Sequence, residues 1–510
     1  MKGIIGVDIG TTGCRACVYD VQWTLMSSAS TEYPLYMPQP SWAEQNPEEI
    51  YNGVIYVIKR ALEKFNKNGN NILALSLSTV FHSLILVDKY CNNLYPMLTW
   101  ADLRSQKYSE YIKEHYDSVE IYKKTGCPIH PMYPLSKILW FKKERPEIFS
   151  KVYKFISIKE YIIFKLFNKY VVDRSIASGT GIYNINDLRW DEQLLNILGI
   201  NCNQLSEVVS TTHYETHMNK KIAEDIKLNV DTPVVIGAGD GVLSAVGTGA
   251  VNSGQAVATI GTSGAVRVLI ENPKTDIKGR TWCYNLTDEY WIAGGAINNG
   301  GIVLRWIRDI LAPCEQAISK KIDIDPYDIL TNCAKNVPPC SNGLIMLPFF
   351  LGERSPNWNA NARGIVFGLN LSHRKEHIVR ATLEGITYRM YSIYSALKDV
   401  TGDIKEIRVS GSFIRSKLWL QIMADVFGKT ISVPNALEGA AFGAAILGLY
   451  SIGQIKNIKE GANKIKIIEN FHPNFNNHKN YQKIYNLYER IYLNLQKEFE
   501  EIAEIQRTFE

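Results

Sequence analysis

One short stretch that occurs twice constrains this chain more than anything else in it. Ile9-Gly10-Thr11-Thr12-Gly13 stands near the start, and Ile260-Gly261-Thr262-Ser263-Gly264 stands halfway along the 510 residues. Around the first copy the order is an apolar run, a carboxylate at Asp8, the hydroxyl-rich turn and a second apolar run, which reads as strand, tight turn, strand. Glycines let the backbone approach a ligand, and Thr hydroxyls and free amides donate to anionic oxygens, so the turn has the chemistry of a phosphate clasp. A single Gly/Thr turn is an ordinary hairpin. Two such turns, one in each half, imply a duplicated α/β unit with a nucleotide in the cleft between the copies.

The length exceeds what one core fills, so two domains are expected, 1–249 and 250–510. With 46% hydrophobic and 21% charged residues the chain has a soluble globular make-up. Its net charge of +5, without a basic block interleaved with aromatics, argues against nucleic acid as a partner. Asp8 interrupts the first apolar run before a signal sequence is complete. The longest uncharged stretch, 439–455, is rich in Ala and Gly and short for a membrane span, so it reads as a buried helix packed closely on a neighbour. The nine cysteines are scattered, and Cys14 and Cys17 lack a second pair. A cysteine metal site is not expected, and a reducing cytoplasm is.

Along the chain, Asn46 and Pro47 open a helix that runs to about Phe65. His82 stands between two apolar runs, where an imidazole is either a satisfied structural group or a ligand contact. Trp100, Asp102 and Arg104 fall within five positions. They fit a capped helix start with a surface ion pair, or a polyol-binding corner with a flat ring and two polar groups. Residues 154–167 have helical spacing. In Gly237-Ala238-Gly239-Asp240-Gly241 a carboxylate follows an apolar strand and precedes a small-residue helix, which is where open α/β sheets bind ligands and also where a helix cap belongs. Glycine-rich turns at Gly294 to Gly301 and at Val409-Ser410-Gly411-Ser412 precede further helices and suit anionic or heterocyclic ligands. Residues 481–504 read as a solvated terminal helix. Met423 rules out a P-loop at Gly428-Lys429-Thr430, and Val242 rules out a dinucleotide fingerprint at Gly237.

Taken together, these residues resemble the FGGY carbohydrate kinases, members of the actin, hexokinase and heat-shock chaperone ATPase superfamily. Met132-Tyr133-Pro134-Leu135-Ser136-Lys137-Ile138-Leu139-Trp140 is similar to one family signature. Gly364-Ile365-Val366-Phe367-Gly368 through Ala381-Thr382-Leu383-Glu384 is similar to the other. The resemblance implies a duplicated actin-like or ribonuclease H-like α/β ATPase fold, with an N-terminal sugar-binding domain, a C-terminal nucleotide-binding domain and a cleft between them. It implies ATP as phosphoryl donor, and Mg²⁺ held by Asp8 through water. Thr11, Thr12 and Arg15 would surround the transferred phosphoryl. Gly261 and Thr262 would hold phosphates from the other domain, and Gly301, Gly411 and Ser412 would line the nucleoside site, Ser412 standing where the family has a second glycine. Asp240 matches the catalytic base.

Within the family, His82, the Trp100 to Ser105 segment, Gly126 to Pro134 and Ile156 to Tyr161 resemble the branch that phosphorylates D-gluconate to 6-phosphogluconate. That implies His82, Trp100, Asp102 and Arg104 as sugar contacts. A sugar acid needs a facing cation, for which Arg104 is the candidate and Lys137 or Arg354 the alternatives. The partner is then a small sugar or sugar acid, with neither membrane nor nucleic acid involved and a homodimer left open. Two rival readings are another activity of the family, such as xylulose phosphorylation, and an actin- or chaperone-like nucleotide-dependent switch.

Overall fold

The hairpin expected at the start forms because Ile4, Ile5, Val7 and Ile9 are apolar on both faces of a strand that is covered on both sides. In the computed structural model, which describes residues 2–65, 71–435 and 439–509, strand Lys2–Ile9 pairs antiparallel with Gly13–Asp20. That strand continues the meander into Leu25–Glu32. On its other side Lys2–Ile9 takes parallel partners, first Asn71–Thr79 and then Val234–Gly239, and the edge is closed by the antiparallel strand Tyr214–Glu215.

The second half repeats this plan. Gln255–Ile260 pairs antiparallel with Gly264–Ile270, which pairs with Trp291–Ile297 and, beyond it, Trp282–Asn285. On the other side it takes Glu406–Ser410 and then Thr430–Pro434 in parallel, closed by antiparallel Ile467–Phe471. Each sheet is thus a meander whose first strand carries two parallel neighbours and one antiparallel edge. The fold is the duplicated α/β architecture expected of the resemblance.

The helices follow their caps and apolar faces. Asn46 accepts from the Glu48 amide and Pro47 opens helix Pro47–Phe65, which buries Ile50, Val54, Val57, Ile58, Ala61 and Leu62. Helix Gly439–Ser451, read as a buried small-residue helix, packs on strands Lys2–Ile9 and Asn71–Thr79 and on helix Asp240–Gly247. The approach is backbone on backbone. A Cβ on Gly443 would lie 2.0 Å from the Leu243 carbonyl oxygen, one on Gly247 1.7 Å from that of Gly439, and one on Gly6 1.9 Å from that of Ala441.

Several readings change. Residues 154–167 are strand Lys154–Ile156 followed by helix Ile158–Phe167, because Ser157 and Glu160 form a reciprocal cap that starts the helix late. The Thr-, Ser- and Gly-rich residues 170–185 contain strand Val171–Asp173 and helix Arg174–Ser178. The terminal helix is two helices, Phe475–Asn494 and Gln496–Phe509, and it is not simply solvated: Tyr481, Tyr488 and Tyr492 are buried against helix Lys375–Thr401 and its surroundings. No helix among the described residues is long and apolar enough to cross a membrane, and no disulfide links the cysteines among them.

Replacing Gly443 by Ala forces the two helix backbones apart, since a carbonyl cannot move as a side chain can. We expect a loss of about 1–3 kcal/mol or more. Gly439→Ala, whose Cβ would meet only the Ser244 hydroxyl at 3.4 Å, is expected to stay within about 1 kcal/mol of wild type. Thermal denaturation of the two variants side by side checks the contrast, and equal melting temperatures would contradict it.

Candidate active site

The two glycine turns lie at equivalent ends of the two sheets. Gly10 to Thr12 joins the first pair of strands, with the Gly10 amide donating to the Gly13 carbonyl at 2.9 Å. Gly261 to Ser263 joins the second, with the Gly261 amide donating to Ser263 at 2.9 Å. A cavity of about 280 Å³ lies between them, lined by Thr11, His82, Trp100 and Asp240 from the first half and by Gly261, Arg267, Trp282, Tyr284 and Arg354 from the second. A second cavity, also about 280 Å³, is lined by Gly261, Thr262, Gly301 and Ser412 together with Asp325, Tyr327 and Arg415. Gly261 belongs to both. It can do so because nothing stands within 4 Å of where its Cβ would be.

Thr262 and Gly301 are tied to the turn itself. The Gly301 amide donates to the Gly261 carbonyl at 2.7 Å and the Ile302 amide to Thr262 at 3.1 Å, so helix Gly301–Trp306 starts directly on the clasp. Gly411, at φ 101°, passes so close to Ile260 that a Cβ would lie 2.3 Å from its carbonyl oxygen. It does not line the second cavity but lets Ser412 reach it. At the first turn, Asp8 accepts from the Ser78 hydroxyl at 2.9 Å and stands opposite Arg15 in the hairpin register. Thr12 is exposed on the turn, and neither it nor Arg15 lines the two cavities.

Asp240 opens helix Asp240–Gly247, directly after the parallel strand that ends at Gly239. Burial pushes its carboxyl above the usual carboxylate range. Arg267, the Gly241 amide at 2.6 Å and Lys159 act in the opposite direction and favour the ionised form. Lys159 is itself buried in an ion pair with Asp173 at 2.7 Å.

His82 sits at φ 65°, a conformation non-glycine residues seldom take, and its Nδ1 lies 2.6 Å from the Gly179 carbonyl. With a carbonyl as partner Nδ1 carries the proton, and burial holds the ring neutral by pulling its pKa down to about 3. Nε2 is left as an acceptor. Trp100 donates from Nε1 to the Thr11 hydroxyl at 2.8 Å, and the Arg354 guanidinium covers its ring at 4.7 Å. One indole thereby connects the phosphate turn to the opposite wall.

Two of the expected sugar contacts are placed elsewhere. Asp102 is fully buried, accepts from the Ala43 amide at 2.7 Å, and is bridged by Arg104. Arg104 also pairs with Glu44 at 2.7 Å and stacks on Trp42 at 3.6 Å. With both charges spent inside this cluster, neither side chain lines the cavity. The segment does form an ion pair, as the first alternative has it, but buried rather than on the surface, and the helix that follows starts after Ser105 without a side-chain cap. Lys137 is committed as well: buried, with its pKa lowered to about 7 by burial, it donates to the carbonyls of His82 at 2.8 Å and Thr99 at 2.7 Å. It fixes the two loops that carry His82 and Trp100. Of the three cations considered for a sugar acid, only Arg354 lines the cavity.

Arg267, Trp282 and Tyr284 were missed. The signal for Arg267 was legible: it is the only charged residue in the otherwise apolar strand Gly264–Ile270, directly after the second clasp, and a cation is rarely placed in a covered strand without a use. Trp282 and Tyr284 stack at 4.3 Å, and nothing in a four-residue apolar strand marks them beforehand.

The cavities thus join a phosphate clasp, a neutral imidazole, a carboxylate and two arginines across one cleft, and comparison with known proteins agrees with that chemistry. Residues 3–247 match the N-terminal domain model, and residues 256–452 the C-terminal domain model, of the FGGY family of carbohydrate kinases. Gluconokinase of Bacillus subtilis is 44% identical over 505 residues, which cover 99% of this chain and 98% of that one. Among solved structures, a gluconate kinase from Lactobacillus acidophilus superposes with a TM-score of 0.92 at 34% identity, covering 98% of this chain and 99% of its own. A ligand-bound xylulose kinase from the same organism gives the same TM-score and identity, over 98% of this chain and 100% of its own. This chain belongs to the FGGY family of carbohydrate kinases.

Proposed function

We propose that this kinase transfers the γ-phosphoryl group of ATP to D-gluconate, giving 6-phosphogluconate, with Asp240 as general base. The observation that carries the reading is the sharing of Gly261 by two cavities. A donor in the Thr262, Gly301 and Ser412 cavity and an acceptor in the His82, Trp100 and Asp240 cavity meet at that residue and nowhere else among the described residues. Gluconate as the acceptor is supported by the relatives: gluconokinases of two Bacillus species are 44% and 43% identical to this chain, against 27% for xylulose kinase of Staphylococcus epidermidis. It is supported also by a cavity wall that carries two arginines.

In this reading the chain divides near Gly249, and both parts build the site. Gly261, Thr262 and Thr11 face the phosphoryl group in transit, with Thr12 and Arg15, which line neither cavity, on the turn and hairpin beside them, while Gly301, Gly411 and Ser412 shape the nucleoside end. His82, through its bare Nε2, and Trp100 hold the sugar chain. Phosphoryl transfer depends on positioning and charge neutralisation, and on a group that takes the hydroxyl proton as the new bond forms. Asp240 takes that proton on a carboxylate oxygen.

Asp8 would hold Mg²⁺. Its carboxylate, at the end of the first strand and hydrogen-bonded by Ser78, fits such an ion, because Mg²⁺ ordinarily retains water and binds one or two carboxylates plus phosphate. When bound it supplies neutralisation of phosphate charge. A carboxylate beside that cation would be a poor base, which is why the proton falls to Asp240. Cysteines without a disulfide among the described residues accord with a reducing cytoplasm.

A xylulose acceptor is the second reading, favoured by the equal likeness to the two Lactobacillus acidophilus structures. Steady-state phosphorylation of gluconate, xylulose, ribulose and glycerol decides between them. We expect gluconate to give the highest kcat/KM; a preference for a neutral ketose would overturn the reading.

Two variants test the assigned roles. Asp240→Asn should retain nucleotide binding and lose at least about 10³-fold in kcat, the scale of a removed general base. Near-normal turnover would place the base elsewhere. Because burial raises the Asp240 carboxyl and only its ionised form accepts a proton, the acid limb of the wild-type pH–rate profile should lie above the range of an ordinary aspartate. Asp8→Asn should raise the Mg²⁺ concentration needed for half-maximal rate, and an unchanged titration would contradict the metal role.

A further inference from the structure

We propose that Arg267 binds the carboxylate of the acceptor and so sets the preference for a sugar acid over a neutral polyol. The proposal rests on the gluconate reading and adds to it the residue that makes the choice. Arg267 and Ala265 alternate on one face of strand Gly264–Ile270, about 7 Å apart at ordinary strand spacing, and both line the acceptor cavity. Ala265 is next to the phosphate turn. Arg267 is one step further along the strand, and its guanidinium lies beside Thr259 and Gly241, on the Asp240 side of the cavity.

The donors of Arg267 are largely uncommitted. Nη1 donates to the Thr259 hydroxyl in a long bond of 3.3 Å, and Nε is buried without a partner. Among the described residues it forms no ion pair, although Asp240 is close enough to feel its charge. Burial lowers its pKa to about 10, the mark of a cation under-compensated by its surroundings. Gly294 stands opposite Arg267 in the sheet with the Trp282 ring packed where a side chain would go, and the guanidinium itself packs on Gly241, 2.9 Å from where a Cβ would lie, so both residues bring it to the cavity wall. A carboxylate placed there completes the set, since a planar guanidinium offers two parallel N–H donors to its two oxygens.

Arg354, the other cavity arginine, is occupied differently. Its Nη2 donates to the Ile297 carbonyl at 2.9 Å and its plane covers Trp100. It aligns the indole, whereas Arg267 is left to recognise charge.

The test pairs gluconate with glucitol, which has the same chain with a CH₂OH group in place of the carboxylate. In Arg267→Met the gluconate KM should rise about 100-fold or more relative to that of glucitol, as when one partner of a buried charge pair is removed, over and above any change in kcat that loss of a cation beside Asp240 brings to both acceptors alike. Arg267→Lys should recover part of the gluconate affinity, read also by calorimetric titration of gluconate without nucleotide. Equal changes in KM on both acceptors, with a displaced acid limb in the pH–rate profile, would show that Arg267 serves Asp240 instead and would overturn the proposal. So would discrimination that survives in Arg267→Met but vanishes in Arg354→Met. A wild-type enzyme that does not prefer gluconate to glucitol would overturn the gluconate reading along with this one, whereas wild-type preference retained in Arg267→Met overturns this one alone.

Discussion

The crossing of helices Asp240–Gly247 and Gly439–Ser451 is the contact on which the rest of the structure depends. At Gly443 and Gly247 the backbones approach until a methyl group would overlap a carbonyl oxygen, and the same helix rests equally closely on Gly6. This packing sets the position of Asp240, the first residue of one helix, relative to strand Lys2–Ile9, whose end carries Asp8. Close-packed backbones have discrete arrangements and little slack, so any relative motion of the two sheets must pass through this crossing. A lid that excludes water from the phosphoryl group would therefore move as a whole half.

Buried charges in this chain fall into two groups. Lys137 under the His82 and Trp100 loops, Arg104 with Asp102 and Glu44, and Lys159 with Asp173 are all satisfied by protein atoms. Arg267 and Arg354 each keep a buried Nε without a partner, and both face the cavity. Burying an ionic group without full compensation is costly, and removing one partner of a buried pair more costly still. Among these charges, those away from the cavity are closed off and the two that line it keep an open donor, while Arg389, whose Nε also lacks a hydrogen bond, lies outside the cavity against Glu353 at 3.5 Å.

That distinction also marks what was legible in the sequence. The duplicated clasp, the strand that leads into Asp240 and the small-residue helix could be read because each depends on local residue type: glycine for close approach, hydroxyls for anions, Ala and Gly for tight packing. Trp100-Ala101-Asp102-Leu103-Arg104 could not be divided between site and scaffold. Its Trp turns toward the cleft while its Asp and Arg turn inward to Glu44 and Trp42, and those partners lie some sixty residues away in the chain. Residues 154–167 failed for another reason, since the Ser157 cap competes with a helical apolar pattern and wins. The terminal helices were misread because their buried face is built of tyrosines, which count as half-polar until the hydroxyl of Tyr481 is seen donating to Glu384.

Duplication kept the geometry of the two sheets and changed the chemistry at one position. In the first half Asp8 accepts from Ser78 on the neighbouring parallel strand. At the matching place in the second half Thr259, one residue before Ile260 as Asp8 is one before Ile9, shares a hydrogen bond of 2.9 Å with Ser410 on its own parallel neighbour. A hydroxyl there cannot neutralise a cation, but it can accept from an arginine, and Thr259 does so from Arg267. Two copies of one clasp have thus become unlike jaws. The first presents a carboxylate; the second presents a guanidinium, and both it and Asp240 line the same cavity.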